Sequence, residues 1–201
     1  MTELRVALRT ATAACHAELD GLFSNLDMGR APDYAAFLKA QHPALRAVEL
    51  SLEAAGVEAL LPDWPQRRRR HALERDLADL DAAARISTVM VEAPTITGRA
   101  EMLGHLYVIE GSRLGGEVLL RRVLAANDPR LAVATRFLAH GRGRRLWQGF
   151  LTVLEAPQAD EVFRTRLIGS AVAAFGLFQK AAEQVIAHYG ASHHSRQVSR
   201  S

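Results

Sequence analysis

The sequence predicts an all-α fold, a single-domain helical bundle over residues 1–190 followed by a polar tail at 191–201. Three observations carry that expectation. Apolar residues recur at steps of three and four through almost every segment. No stretch alternates as a half-buried strand would. Breaks between the periodic segments fall at Pro, Gly and Asn-Asp clusters. With 201 residues, 49% of them hydrophobic, the chain is long enough to close one sizeable core.

The elements follow in order. Residues 3–22 place Leu4, Leu8, Ala11, Cys15, Leu19 and Leu22 on one apolar stripe. A loop with Gly29 and Pro32 leads to a second helix, capped by Asp33 and running to about Ala55. Pro43 inside it predicts a kink or a break, and Gly56 is a stop signal. After a turn at Leu61-Pro62-Asp63-Trp64-Pro65, a third helix is expected over Gln66–Arg85. A loop around Glu92–Thr97 precedes a long helix from about Gly98 to Ala126. Asn127-Asp128-Pro129 ends it, with Pro129 suited to start the next helix. That helix is interrupted at Gly141-Arg142-Gly143 and resumes through Trp147, Phe150 and Leu154. Pro157 and Asp160 open a last helix through Phe163, Leu167, Phe175 and Phe178 to about Tyr189. The tail from Ser192 onward is expected to be disordered, its paired histidines inert.

Charge and cysteine content narrow the function classes. The formal charge is only +3 although the pI is near 9.5, because the arginines are offset by acids. Arg67-Arg68-Arg69-Arg70-His71 is followed at once by Glu74, Asp76, Asp79 and Asp81, which reads as a solvated, charge-paired helix and not as a nucleic-acid site. Cys15 is the single cysteine, so no internal disulfide forms. It sits on the apolar stripe, where packing is favoured over nucleophilic chemistry. The opening Met1-Thr2-Glu3-Leu4-Arg5 lacks the apolar core of a signal peptide, and no run is long enough to span a membrane. A cytoplasmic protein without a membrane partner is the expectation.

The long helix carries the functional question. Gly104, Gly111 and Gly115 lie near its middle, seven and four apart and so on one face, although each costs roughly 1 kcal/mol relative to alanine. The strip is bare backbone that something flat must approach, either a ligand or a neighbouring helix. Gly111-Ser112-Arg113-Leu114-Gly115-Gly116 does not read as a phosphate loop. Ser112 can bond back to the Val108 carbonyl or order water over the strip.

On the first helix Arg5, Arg9, Thr12 and His16 form a polar ridge beside the stripe. His16 lies about 10.5 Å along the axis from Arg9, the scale on which a porphyrin separates its iron from its propionates. An imidazole ligates haem iron and a guanidinium suits a carboxylate; a solvated helix face with a surface histidine has the same spacing. Glu101 and His105, four apart and without a second set, read as a surface ion pair. A di-iron bundle needs repeated Glu-x-x-His pairs, and the chain contains none. Arg142, Arg144 and Arg145 are candidates to meet an anion.

These residues carry a resemblance. Leu8-Arg9-Thr10-Ala11-Thr12-Ala13-Ala14-Cys15-His16 resembles the opening helix of the biliverdin-producing haem oxygenases, and Tyr107-Val108-Ile109-Glu110-Gly111-Ser112-Arg113-Leu114-Gly115-Gly116 is similar to their distal helix. Both look most like the bacterial members found beside bacteriophytochromes. Ala174-Phe175-Gly176-Leu177-Phe178 is similar to the aromatic segment of their last helix, so the resemblance spans about residues 4–188. It implies haem as substrate and cofactor, clamped between first and distal helices. It also implies cleavage at a meso carbon by dioxygen and donor electrons to biliverdin, carbon monoxide and ferrous iron.

By the same resemblance His16 is the axial iron ligand, and Gly111, Ser112 and Gly115 are the catalytic distal positions. Arg9, Thr12, Tyr107, Arg144 and Phe175 join Gly111 and Gly115 as haem contacts, Arg9 and Arg144 on propionates. A ferredoxin or flavoprotein reductase is implied as electron donor, and a bacteriophytochrome as biliverdin acceptor. One departure stands out. Mammalian members place an aspartate where this chain has Ser112, and use it to organise proton delivery through water. Two other readings remain at this point: a haem carrier of the same fold that does not degrade haem, and a thiaminase-like bundle using a cysteine nucleophile.

Overall fold

The computed structural model describes residues 2–81, 89–156 and 160–198, the last stretch beyond Gly190 as backbone alone. Its helices are α1 (Glu3–Phe23), α2 (Ala31–Ala54), α3 (Arg70–Asp79), α4 (Arg99–Ala125), α5 (Pro129–Val133), α6 (Arg136–Ala139), α7 (Leu146–Leu154) and α8 (Glu161–Val198), with short 3₁₀ turns at Val57–Ala59 and Trp64–Gln66. No strand occurs among the described residues, as the periodicity predicts. No described helix is long and apolar enough to cross a membrane.

Several boundaries depart from expectation for identifiable reasons. Asp33 is not the cap of α2; the helix starts two residues earlier behind Arg30, with Pro32 in its first turn. Asp33 instead turns inward, where it accepts the Asp27 amide at 3.0 Å and the Tyr189 hydroxyl of α8. Pro43 does not break α2. Leu38, Ala40, Ala44, Leu45 and Val48 are buried on both sides of it, and several buried side chains at about 1.5–3 kcal/mol each outweigh a proline's cost of about 3 kcal/mol. Gly56 does stop the helix, at φ 80°. The third helix begins four residues late, after the 3₁₀ turn, and residues 82–85 of its expected span lie outside the described residues. Pro157 lies outside them too, while Asp160 accepts the Phe163 amide at the start of α8. The helical backbone of α8 runs on to Val198, past the end expected near Tyr189.

The organising element is α8. Both α1 and α4 lie along it, and α2 packs on a further side. The contacts ascend in parallel. Glu101 meets Arg166, and Gly104 lies against the backbone from Leu167 to Ala171. On the other flank Arg5 meets Glu155 just ahead of α8, and His16 meets Phe175. Carried up the two helices, the Gly104–Ser170 register sets Phe175 level with Ile109, beside Gly111. Thus α1 and α4 stand next to each other on a shared floor, with His16 and the upper glycines at similar height.

The stripe on α1 is rotated from the expected one. Thr12, assigned to the polar ridge, is buried, and Ala11, assigned to the stripe, is exposed. The Thr12 hydroxyl donates to the Leu8 carbonyl at 2.8 Å, which makes its burial inexpensive. Cys15 is half-buried against the core, as packing requires.

Candidate haem site between the first and fourth helices

The glycines of α4 divide by role. A Cβ on Gly104 would lie 2.7 Å from Ser170 Cβ and 2.8 Å from the Ala171 nitrogen, so this glycine exists to let α4 touch α8. Gly116 packs under the Leu138 carbonyl at 3.5 Å. Gly111 has room for a Cβ, 3.7 Å from the Trp147 ring, and over Gly115 nothing lies within 4 Å. The single bare strip expected from spacing is therefore two things. Its lower end is helix packing, and its upper end, Gly111 to Gly115, is open.

His16 stands on α1, which shares the α8 floor with α4. Its side chain is 64% exposed, its ring meets Phe175 edge-on at 5.8 Å, and Nδ1 lies 3.1 Å from Asp20 Oδ2. A Nδ1–H held by a carboxylate leaves Nε2 with its lone pair outward, the arrangement of a metal-ligating histidine. Phe175 is 7% exposed and fixed in the floor.

At its lower end the gap is closed by Tyr107. The phenol meets the Thr12 hydroxyl, and its ring lies 5.9 Å from Trp147. Burial pushes the phenol up, while Thr12 and the guanidinium groups of Arg5 and Arg9 draw it down. Arg9 is exposed on this edge. Arg144 is also exposed, in the turn ahead of α7, facing Asp63 and His140. Contacts join His16 to Phe175, and Thr12 and Arg9 to Tyr107, which lies one turn before Gly111 on α4. Arg144 stands apart, on the side where Trp147 leads in.

Behind the open glycines lies a charge network that the sequence did not reveal. Arg67, Arg69 and Arg70 are 3%, 4% and 8% exposed, so the arginine run is internal and not a solvated face. Arg67 donates to Glu110 at 2.7 Å and to the Leu146 carbonyl at 2.9 Å. Arg113 donates to the other Glu110 oxygen at 2.8 Å. The backbone amides of Arg69 and Arg70 both donate to Glu49, whose carboxyl burial pushes up and these contacts pull down. Arg69 lies over the Phe137 ring at 4.8 Å and reaches the Ile109 carbonyl at 2.7 Å and Ser112 Oγ at 2.6 Å. Ser112 in turn donates to the Ile109 carbonyl at 2.9 Å, not to Val108.

His105 is a second correction. It is 3% exposed, with Nδ1 bonded to the Glu101 carbonyl at 2.9 Å and Nε2 buried without a partner. The carboxylate of Glu101 pairs with Arg166 instead. Two surface hollows, one beside Met28 and Arg122 and one beside Thr95 and His105, lie away from His16. Residues that the sequence reading did not single out are Asp20, Trp147, Glu110 and Arg69. Asp20 was readable, one helical turn after His16; the others meet the site only through long-range packing.

The Heme oxygenase family model matches residues 2–184, and the chain belongs to that family of oxidoreductases. It is 34% identical over 153 residues to the heme oxygenase of Xanthomonas campestris pv. campestris (strain 8004), covering 74% of this chain and 87% of that protein. Identity to the Pseudomonas aeruginosa protein named heme oxygenase PigA is 28% over 183 residues, 90% of this chain and 91% of that one. The fold is also that of the NO- and CO-bound heme oxygenase from Neisseria meningitidis, with a TM-score of 0.78 at 24% identity over 92% of each chain. A haem oxygenase acting on haem is therefore what the sequence and fold define.

Proposed function

We propose that haem lies in the gap between α1 and α4, with His16 as its axial ligand through Nε2. The observation that carries this reading is the exposed His16 imidazole on α1, set with Gly115 of α4, where an added Cβ would meet no side chain or other helix within 4 Å, both helices packing along α8. A bare ion would need several protein ligands, and no group of three His, Cys, Asp or Glu gathers among the described residues. A metal already held by a macrocycle needs only the axial one.

Each residue has a physical task. Asp20 holds the His16 ring and raises the basicity of Nε2. Phe175 forms an apolar wall. Gly111 and Gly115 let backbone approach the porphyrin plane, so the local helix cost is offset by binding. Thr12 and Tyr107 close the lower end, and Arg9 offers a guanidinium to a propionate. Arg144 serves a second propionate or the rim near Trp147. Ser112 holds a hydroxyl proton at the distal position. Once bound, haem supplies the iron at which dioxygen is activated, and the products are biliverdin, carbon monoxide and ferrous iron.

The electron donor in this reading is a ferredoxin or flavoprotein reductase with an acidic face, met by exposed Arg142, Arg144 and Arg145. Biliverdin passes to a bacteriophytochrome, and the setting is cytoplasmic. The deciding experiment is haem titration of the wild type and His16→Ala, followed by reductant and dioxygen. The wild type should form a Soret band, then lose it to a biliverdin spectrum; His16→Ala should lose the histidine-ligated spectrum and turnover. A Soret that persists under turnover conditions would make the protein a carrier, and unchanged turnover in His16→Ala would place the ligand elsewhere.

A further inference from the structure

Ser112 has two protein partners, and they have different consequences. Its hydroxyl donates to the Ile109 carbonyl at 2.9 Å and accepts from Arg69 Nη2 at 2.6 Å. The same Nη2 also donates to the Ile109 carbonyl, at 2.7 Å. If the hydroxyl proton turns away, that carbonyl keeps a charged donor and Ser112 Oγ keeps one too. Neither acceptor is orphaned, and the Ile109 carbonyl, on a buried residue, escapes the roughly 1–3 kcal/mol that an unsatisfied group would cost.

Resting on the haem reading above, we propose that Arg69 is a positioning residue: it frees the Ser112 hydroxyl to donate a hydrogen bond into the slot and polarises it for that purpose. Arg69 is suited to hold one place. It is 4% exposed, stacked over Phe137, and anchored through its amide to Glu49. The charged groups around it are Glu49, Glu110 and Arg113, with His140 on the far side of Arg113. Burial and the neighbouring Arg113 press its guanidinium down to about 9, while Glu110 and Glu49 oppose them. A serine with only the Ile109 bond would keep its proton on that carbonyl. With Arg69 present, a hydroxyl can do what the aspartate-and-water arrangement does in other members.

The test uses fluoride, an anion that accepts hydrogen bonds, binding to the ferric haem complex and followed by its visible spectrum. Ser112→Ala should weaken fluoride about tenfold, the size of one such bond. Arg69→Met should give a similar loss, and the double variant should be no weaker than either alone, because both remove the same bond. Ser112→Thr, which keeps a hydroxyl, should bind fluoride like the wild type. Arg69→Lys keeps a cation and enough donors but on a shorter side chain that reaches both acceptors less well, so it should fall between wild type and Ser112→Ala; it carries the test if Arg69→Met does not fold. Wild-type fluoride affinity in a folded, haem-loaded Arg69 variant, or losses that add fully in the double variant, would overturn the proposal. Failure of the wild type to take up haem would instead sink the haem reading beneath it.

Discussion

The carboxylate of Glu110 lies 2.7 Å from the guanidinium of Arg67, and the two side chains are 0% and 4% exposed. Arg113 holds the second oxygen at 2.8 Å. One buried acid thus pairs with two largely buried cations next to Gly111 on α4. Glu110→Ala should cost about 3–5 kcal/mol in urea unfolding, because Arg113 loses its countercharge and Arg67 is left with Asp63 alone in a nearly dry site. A cost below about 1 kcal/mol would mean that water enters the network freely.

Gly104 and Gly115 should respond to alanine with opposite signs. At Gly104 the new methyl collides with α8 backbone, so Gly104→Ala should destabilise by at least about 1–3 kcal/mol. At Gly115 no atom lies within reach, and alanine should raise apo stability by up to about 1 kcal/mol through helix propensity. Haem affinity of Gly115→Ala should fall. Paired melting and haem titration check both signs, and an unaltered affinity would place the porphyrin elsewhere.

Asp20→Asn should leave His16 as ligand but weaken haem binding, by about tenfold on the scale of lost outer-shell partners. The Soret band should keep its histidine-ligated position while the titration midpoint moves. Since His16 and Asp20 are both well exposed, no loss of fold stability is expected.

Acid should destabilise the protein through His140. Burial, together with Arg113 and Arg69, depresses its imidazole to about 4. Below its ordinary value near 6.5, the unfolded chain takes up a proton that the folded chain refuses. Stability then falls as pH drops from about 6.5 toward 4, and is flat with respect to this group above that window. Buried His105 is depressed by the same cause and acts with the same sign. Unfolding free energy of the wild type minus that of His140→Gln, measured across pH 4–8, isolates the effect; a difference that does not change with pH would refute it.

What the sequence made legible was periodic or local. The span of α4 is recovered within a residue, because Gly98 and Ala126 bracket an uninterrupted apolar pattern. His16 with Asp20, and the glycine spacing itself, are one-dimensional signals. The arginine run was misread because its partners Glu49, Glu53 and Glu110 come from α2 and α4, and the sign of a charged helix face depends on what packs over it. Thr12 and Ala11 exchanged places because a hydroxyl bonded to its own helix buries almost as readily as a methyl. Gly104 and Gly115 look alike in sequence, and only the position of α8 separates them.

That dependence on α8 reaches into biosynthesis. The helices that bear His16 and Gly115 leave the ribosome well before α8, against which both pack. Until then each has an apolar flank without its counterpart. If haem binds at His16 as proposed, the nascent chain would offer it an imidazole before the helix that positions the opposite wall, so cofactor uptake would wait on translation through the last helix.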